Sequence, residues 1–501
     1  MHDRRQHNFP SVHRGCLRSP AVLKRTVYLL GLTWRQLRDD PSRAPRLAVR
    51  LLARVAPGPL GARLRRSPFA VPRPRDPQRE SADLQALLDF TPRRPDRSTV
   101  RPEGRSVLQF VTNALPVTNA GYTVRTHRIA LAQRELGYNT QVVTRLGYPL
   151  SQGVGDTRAR VEVDGVAYHR LLPWLPARSP VRDVGKAADL AGPLVEELRP
   201  AVLHAVSNHL NAAVAVELGR RHGIPVVYEV RGFLEDSWLS RDPGHTEDAD
   251  FYRLTRALET RRMAEADAVV TLGEAMRAEI AGRGVDPAKI FTVPNGVDEA
   301  FLEPLPNASG LRAELGIGTG TPVIGLTSSF YGYEGIDTLI DAAALLRDRS
   351  VEATLLLVGD GPERGALERR AAEQGVAAVF TGRVPMSSVR QYHAVLDVFA
   401  VPRRADRVCQ LVTPLKPIEA MAGGIPVIAS DVNALREIVE PGVTGTLTLP
   451  EDAEAWAISL EELIYSPDRR RKIGQAAQEW VRTERTWRAV ATRYREAYSG
   501  I

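Results

Sequence analysis

Two cysteines in 501 residues, Cys16 and Cys409, leave no material for a disulfide framework, and a reducing compartment fits. No apolar run approaches the ~20 residues that cross a bilayer. Thr26 to Trp34 is apolar, but it is short and no small-residue cleavage site follows, which argues against a signal peptide. Lysine is scarce, five against 62 arginines, so a lysine kept in a candidate loop is worth noting. The chain has no Gly-x-Ser-x-Gly nucleophile elbow and no Gly-Lys-Ser/Thr phosphate loop. His127, His204 and His209 lack metal-ligand spacing with cysteines or carboxylates, so no metal is assigned.

What is there suits an α/β protein of two domains plus an extension, with 43% hydrophobic and 6% aromatic residues. The net charge of +8 is uneven. Residues 1–105 hold 22 arginines, one lysine and nine acids, or +14, which leaves −6 for the remainder. The high pI therefore belongs to an Arg/Pro-rich extension, and a nucleic-acid partner is not indicated for the body. Within the extension, Val71–Pro77 and Thr91–Pro95 read as extended linkers. Ala21 to Arg38 and Arg46 to Val55 read as helices. The second sets Leu47, Leu51, Leu52 and Val55 opposite Arg46, Arg50 and Arg54. Residues 21–56 are thus a candidate membrane-surface contact, the alternative being that the helix docks on the protein itself.

From Ser106 the pattern becomes strand–loop–helix–strand, as in a parallel sheet. Val107–Val111, Thr140–Thr144, Ala201–His204, Pro225–Val230 and Ala268–Thr271 are strands, with a helix from Tyr122 to Leu136. Pro294–Asp298 reads as a domain boundary. A second series follows: strands Val323–Leu326, Ala353–Val358 and Val395–Pro402, a helix from Ile336 to Arg347, Val379–Phe380 leading into Gly382–Val384, and a closing helix from Arg470 to Tyr498. The expected division is 1–105, 106–298, 299–480, and a C-terminal helix, 481–501, packing back on the first domain. Two tandem doubly wound Rossmann-like domains imply a cleft with ligands at strand C-terminal ends.

The most informative stretch is Pro414–Ser430. It places Glu419 near the start of a short apolar helix, just after a Pro-bracketed loop that holds Lys416. A loop feeding a helix N-terminus attracts anions, and a carboxylate one step further in accepts two vicinal hydroxyls such as a ribose presents. Phosphate beside sugar hydroxyls points to a nucleotide or nucleotide-sugar.

Together with Asn119–Tyr122, Glu229–Gly232, Val293–Asp298, Tyr333–Gly335, Val358–Pro362 and Gly382–Val384, this run resembles the group 1 glycosyltransferases, glycosyltransferase family 4, of GT-B fold. The resemblance covers about residues 106–500. It implies a retaining transfer from a nucleotide-diphosphate sugar without a metal or other cofactor. The donor would lie on the second domain, and a glycan, glycolipid or cell-envelope precursor on the first. The protein would then be cytoplasmic, peripheral at the inner membrane face. Glu419 would hold the ribose, the amides of Leu415 and Lys416 the phosphates, and Gly382, Arg383 and Val384 would lie near the base. Gly121 would admit the diphosphate, and Arg231 stands where many relatives carry a histidine near the transferred sugar.

Two departures stand out. The first of the family's paired glutamates falls at Leu411, and its usual Arg and Lys clamp falls near Ser328 and Glu334, neither of them basic. Lys416 and Arg403 are the expected substitutes. A non-catalytic nucleotide-sugar-binding protein and a nucleotide-sugar 2-epimerase are the alternative readings.

Overall fold

The computed structural model describes residues 27–28, 76–92, 100–175 and 179–501. The amphipathic helix expected at Arg46 to Val55, most of the 21–56 membrane-contact segment, and Cys16 lie outside the described residues.

The buried runs of the first half form eight strands. They are β1 (Ser106–Val111), β2 (Asn139–Thr144), β3 (Arg160–Val163), β4 (Val166–Arg170), β5 (Val202–Val206), β6 (Val226–Val230), β7 (Ala268–Thr271) and β8 (Ile290–Thr292). Their order is β3-β4-β2-β1-β5-β6-β7-β8. Every pairing is parallel except the β3–β4 hairpin. Strands β1, β5, β6 and β7 are buried along their whole length, as expected for a parallel sheet covered by helices on both faces.

The second half forms β9 (Val323–Ser329), β10 (Thr354–Asp360), β11 (Ala378–Gly382), β12 (Val398–Val401), β13 (Val427–Ser430) and β14 (Gly445–Thr448). Their order is β11-β10-β9-β12-β13-β14, all parallel. Strand order reverses at β1/β5 and again at β9/β12, so each sheet has a switch point at its strand C-terminal ends.

The extension, read as two helices and extended linkers ahead of a first domain starting at 106, begins to pack on that domain earlier. Asp76 caps a helix, Pro77–Asp89, by accepting from the Gln78 amide. Leu84 and Leu87 enter the first domain's core beside Leu258. The backbone amides of Val100 and Glu103 bond to the carbonyls of His222 and Arg199, each at 2.9 Å. Apolar residues three apart in a Pro/Arg-rich region carry this helix onto the Asp250–Glu265 helix.

The closing helix expected from Arg470 to Tyr498 is instead three: Pro467–Glu484, Trp487–Thr492 and Tyr494–Ser499. The break lets the chain cross back to the first domain. The Val297 amide donates to the Arg485 carbonyl at 2.7 Å, and the Thr486 hydroxyl caps the next helix by accepting from Ala489. The crossing needs Gly296, where a Cβ would sit 2.8 Å from the Trp487 ring.

A buried carboxylate ties these pieces together. Glu229, on β6, accepts from Arg125 (3.0 Å), Arg231 (2.8 Å) and the Tyr494 hydroxyl (2.8 Å), and faces His204 Nε2 at 3.0 Å. Arg125 also donates to the carbonyls of Val293 and Pro294 and to Asn295 Oδ1. Asn295 in turn donates to the Thr413 carbonyl, 2.8 Å away in the second domain. Burial pushes the Glu229 carboxyl up, but Arg231, Arg125 and His204 outweigh it and hold it well below the carboxylate range.

Glu229→Gln is expected to cost about 3 kcal/mol, because it leaves the Arg125 and Arg231 charges buried without their anion. Chemical denaturation at neutral pH reads this as a lower midpoint. Because the folded pKa lies below the unfolded one, the contribution is present above roughly pH 4.3 and is lost as pH falls through the folded value. The wild-type advantage over the variant should therefore shrink on acidification, and a variant as stable as wild type at pH 7 would refute the role.

Candidate active site

A cavity of about 260 Å³ lies between the two sheets. The first domain contributes Asn119, Ala120, Gly121 and Val124 to it; the crossover contributes Gly296, Val297 and Asp298; the second domain contributes Phe301, Val384, Met386, Leu415 and Glu419; and Trp487 closes one side. The walls nearly touch, since a Cβ on Gly121 would lie 3.4 Å from Leu415 Cδ1. Gly121 opens the Gly121–Glu135 helix, whose first turn is held by the Thr123 hydroxyl, which accepts from the Ala120 amide at 2.9 Å. Glu419 stands in the first turn of the Lys416–Ala422 helix. Burial, and to a lesser extent Asp298, push its carboxyl up to about 7 against the opposing pull of Lys416.

Beside Glu419 is a compact charged cluster. Lys416 Nζ donates to Ser328 Oγ at 2.9 Å, and Arg403 pairs with Glu334 at 3.3 Å while donating to the Val412 carbonyl. Burial pushes Lys416 down, and Glu334 and Glu419 oppose it. Burial pushes Glu334 up, but Arg403 and Lys416 bring it below its ordinary value. The two positions that lack a basic residue in the sequence, 328 and 334, are thus the ones that Lys416 and Arg403 reach. The Gly335 turn makes this possible: its φ is +65° and a Cβ there would lie 1.8 Å from the Pro402 carbonyl oxygen.

The cavity therefore brings together four of the sequence candidates: Gly121, Val384, Leu415 and Glu419. Lys416 and Arg403 flank it. Arg383 is exposed, and Gly382 ends β11 at a φ of +73°. Arg231 belongs to the first domain, where it bonds to Glu229, to the Tyr122 carbonyl (2.9 Å) and to the Thr126 hydroxyl (2.7 Å). Its Nη2 has no partner among the described residues. Leu411 is buried in the first domain's apolar core, and neighbouring Gln410 accepts from the Asn433 amide at 3.0 Å.

Sequence reading missed Val124, Asp298, Phe301, Met386, Val389 and Trp487 as cavity lining. Asp298 alone carried a signal, as the carboxylate closing the Pro294–Asp298 turn; it bonds to Arg128 at 2.7 Å. Other contacts also join the domains. Arg407 pairs with Asp236 and Glu279, and Glu437 accepts from the amides of Glu274 and Ala275 at the start of a first-domain helix. A larger cavity of about 740 Å³ opens on the first domain around Arg253, Arg256, Arg261, Arg283 and Arg407. Each of these arginines is paired with a carboxylate, so the cleft is the better candidate. Among the described residues, no three His, Cys, Asp or Glu side chains group to hold a metal, and no helix is long and apolar enough to cross a membrane.

Two family models match the chain. A glycosyl transferase 4-like domain covers residues 120–296, and glycosyl transferases group 1 covers residues 321–466. The GDP-mannose-dependent alpha-(1-6)-phosphatidylinositol monomannoside mannosyltransferase of Mycolicibacterium smegmatis is 33% identical over 241 residues, 47% of this chain and 63% of its own. The chain thus spans under two thirds of the length of the first curated relatives it matches. The D-inositol 3-phosphate glycosyltransferase of Rhodococcus erythropolis is 29% identical over 396 residues, 75% of this chain and 87% of its own. Among solved structures, sucrose-phosphate synthase from Thermosynechococcus elongatus superposes with a TM-score of 0.64 at 21% identity, covering 79% of this chain and 98% of that one. HepE from Anabaena in complex with UDP gives 0.59 at 21% identity, over 79% and 100%. The two-sheet architecture is that of the GT-B fold.

Glu334→Gln is expected to cost about 3 kcal/mol, since it strands Arg403 in a buried site. Combining it with Arg403→Met should recover most of that loss. Denaturation midpoints of the four proteins in this cycle test the pairing, and additive losses would show that the two side chains act independently.

Proposed function

The chain belongs to the group 1 glycosyltransferases, and from that premise we propose that it moves a sugar from a nucleotide-diphosphate donor to a hydroxyl acceptor with retention of configuration. The observation that carries this is the meeting of Glu419 with the Lys416–Ser328 and Arg403–Glu334 pairs at the cleft, opposite Gly121. Glu419, when ionised, accepts the two ribose hydroxyls. Lys416 and Arg403 stand ready for the diphosphate, and the Leu415 and Lys416 amides add donors. Positive charge placed where the leaving phosphate develops its own lowers the barrier without a metal. Gly121, lacking a Cβ, lets the first domain approach the diphosphate.

Arg231 supports the sugar side of the cleft. Its unpaired Nη2 is a buried donor in want of an acceptor, which a sugar hydroxyl or phosphate oxygen would supply. Leu411 offers no polar contact, so recognition of the sugar rests on other groups. The base would lie against Val384 and Met386. In a front-face substitution the departing phosphate takes the acceptor proton. Closure of the domains excludes water and limits donor hydrolysis. Relatives named for GDP-mannose and phosphatidylinositol monomannoside or D-inositol 3-phosphate, and a structural neighbour holding UDP, support a nucleotide-sugar donor and a glycan, glycolipid or envelope precursor as acceptor. A peripheral site at the inner membrane face is part of the same reading.

A thermal-shift panel of nucleotide-sugars tests the donor, because a ligand that binds only the folded chain raises its melting temperature. Glu419→Ala should weaken the donor at least tenfold, about 1.4 kcal/mol. Since the free carboxyl titrates near 7, donor affinity in wild type should rise between pH 6 and pH 8 as the acceptor form fills. Glu419→Gln should show a flat profile. Full donor affinity in Glu419→Ala would remove the site assignment.

A further inference from the structure

Arg145 follows β2 directly, at the strand C-terminal edge beside the switch point. Its amide donates to the Val111 carbonyl, at the end of β1, at 2.8 Å. The residue as a whole is exposed, yet burial pulls its guanidinium below the ordinary value, and the phenols of Tyr122, Tyr28 and Tyr148 oppose that pull. Among the described residues no carboxylate pairs with it. The contrast with its surroundings is plain, for Arg125, Arg128 and Arg231 each hold an acid.

The nearby groups are arranged as donors. Tyr122 accepts from Asn113 Nδ2 at 2.7 Å, which leaves its own hydroxyl proton to be given elsewhere. Asn113 is held in turn by Gln152, whose Nε2 donates to Asn113 Oδ1 at 2.9 Å. Tyr148 is buried, its hydroxyl fixed on the Ala114 carbonyl at 2.7 Å, so it forms a rigid wall rather than a contact. Tyr122 adjoins Gly121, which lines the central cavity. A cation whose planar fork meets no carboxylate among the described residues and a phenol donor thus share the first domain's rim, on the side opposite Glu419. A guanidinium matches phosphate oxygens two at a time.

Resting on the transferase reading, we propose that Arg145, with the Tyr122 hydroxyl, holds a phosphate group carried by the acceptor, making the acceptor a phosphorylated polyol or sugar, free or as a lipid headgroup. Two phosphorylated molecules would then approach one another from opposite sides, the donor at the cavity and the acceptor's phosphate at the rim beyond Gly121. Lys416 and Arg403 would face the donor diphosphate, and Arg145 the acceptor phosphate.

The test reads binding, so it does not depend on turnover. Titration calorimetry with glucose 6-phosphate, a monoester, and with glycerophosphoinositol, a headgroup diester without its lipid tails, is compared with glucose and inositol. At least one anion should bind ten times or more tighter than its neutral parent, and which one does separates the free from the lipid source. Arg145→Met should erase that preference, Arg145→Lys should keep part of it, and Tyr122→Phe should weaken it a fewfold. Melting temperatures close to wild type show that the variants fold. Anion binding unchanged in Arg145→Met, or no preference in wild type, overturns the proposal. Arg145-dependent binding in a chain that no nucleotide-sugar stabilises would overturn the transferase reading and leave the phosphate site standing.

Discussion

The arrangement of the whole molecule depends on one buried anion. Glu229 gathers Arg125, Arg231, His204 and Tyr494 around a single carboxylate. Through Arg125 it fixes the carbonyls of the interdomain linker, and through Asn295 it reaches the second domain at Thr413, next to the loop that carries Lys416. Such an arrangement is a weak source of net stability, because removing these ions from water opposes their attraction. What it supplies is position: a hydrogen-bonded fork admits few geometries, so the angle between the sheets is constrained by the same group that orients Arg231.

The cleft shows charge moved without being lost. A cation on the loop after β9 would meet a diphosphate from that side. In this chain that loop offers Ser328 and Glu334, and the cations arrive instead from Lys416 and Arg403. Because Glu334 neutralises part of that charge, the buried cluster stays tolerable to fold. Burial then sharpens whatever charge remains, since the local dielectric is low.

Much of this was legible beforehand. Fully buried parallel strands read as uninterrupted apolar runs, and the Pro414–Ser430 stretch set Glu419 near the start of a short helix, where its first turn holds it. What escaped reading has physical causes. The β3–β4 hairpin turns on Asp164–Gly165, both at positive φ, a two-residue signal that a scan for apolar runs passes over. The break at Arg485–Thr486 has no glycine or proline to announce it; it is imposed by pairing with Val297, almost 190 residues earlier. The helix at Pro77–Asp89 was hidden by its arginine- and proline-rich flanks, although Leu84 and Leu87 were in place to bury it. Leu411 was noted as a missing acid, but nothing local says that it serves the other domain's core. Long-range contacts decide all but the first of these.

The return of the chain to its first domain has a consequence for biosynthesis. Tyr494 reaches Glu229 across 265 residues of sequence, and Tyr498 meets His204 across 294. A ribosome releases the first domain's strands long before those tyrosines exist. Until the second domain has been made, Glu229, Arg125 and His204 face an unfinished wall. The first half is therefore completed last, and quality control during translation would meet it as an open intermediate that only the full chain can close.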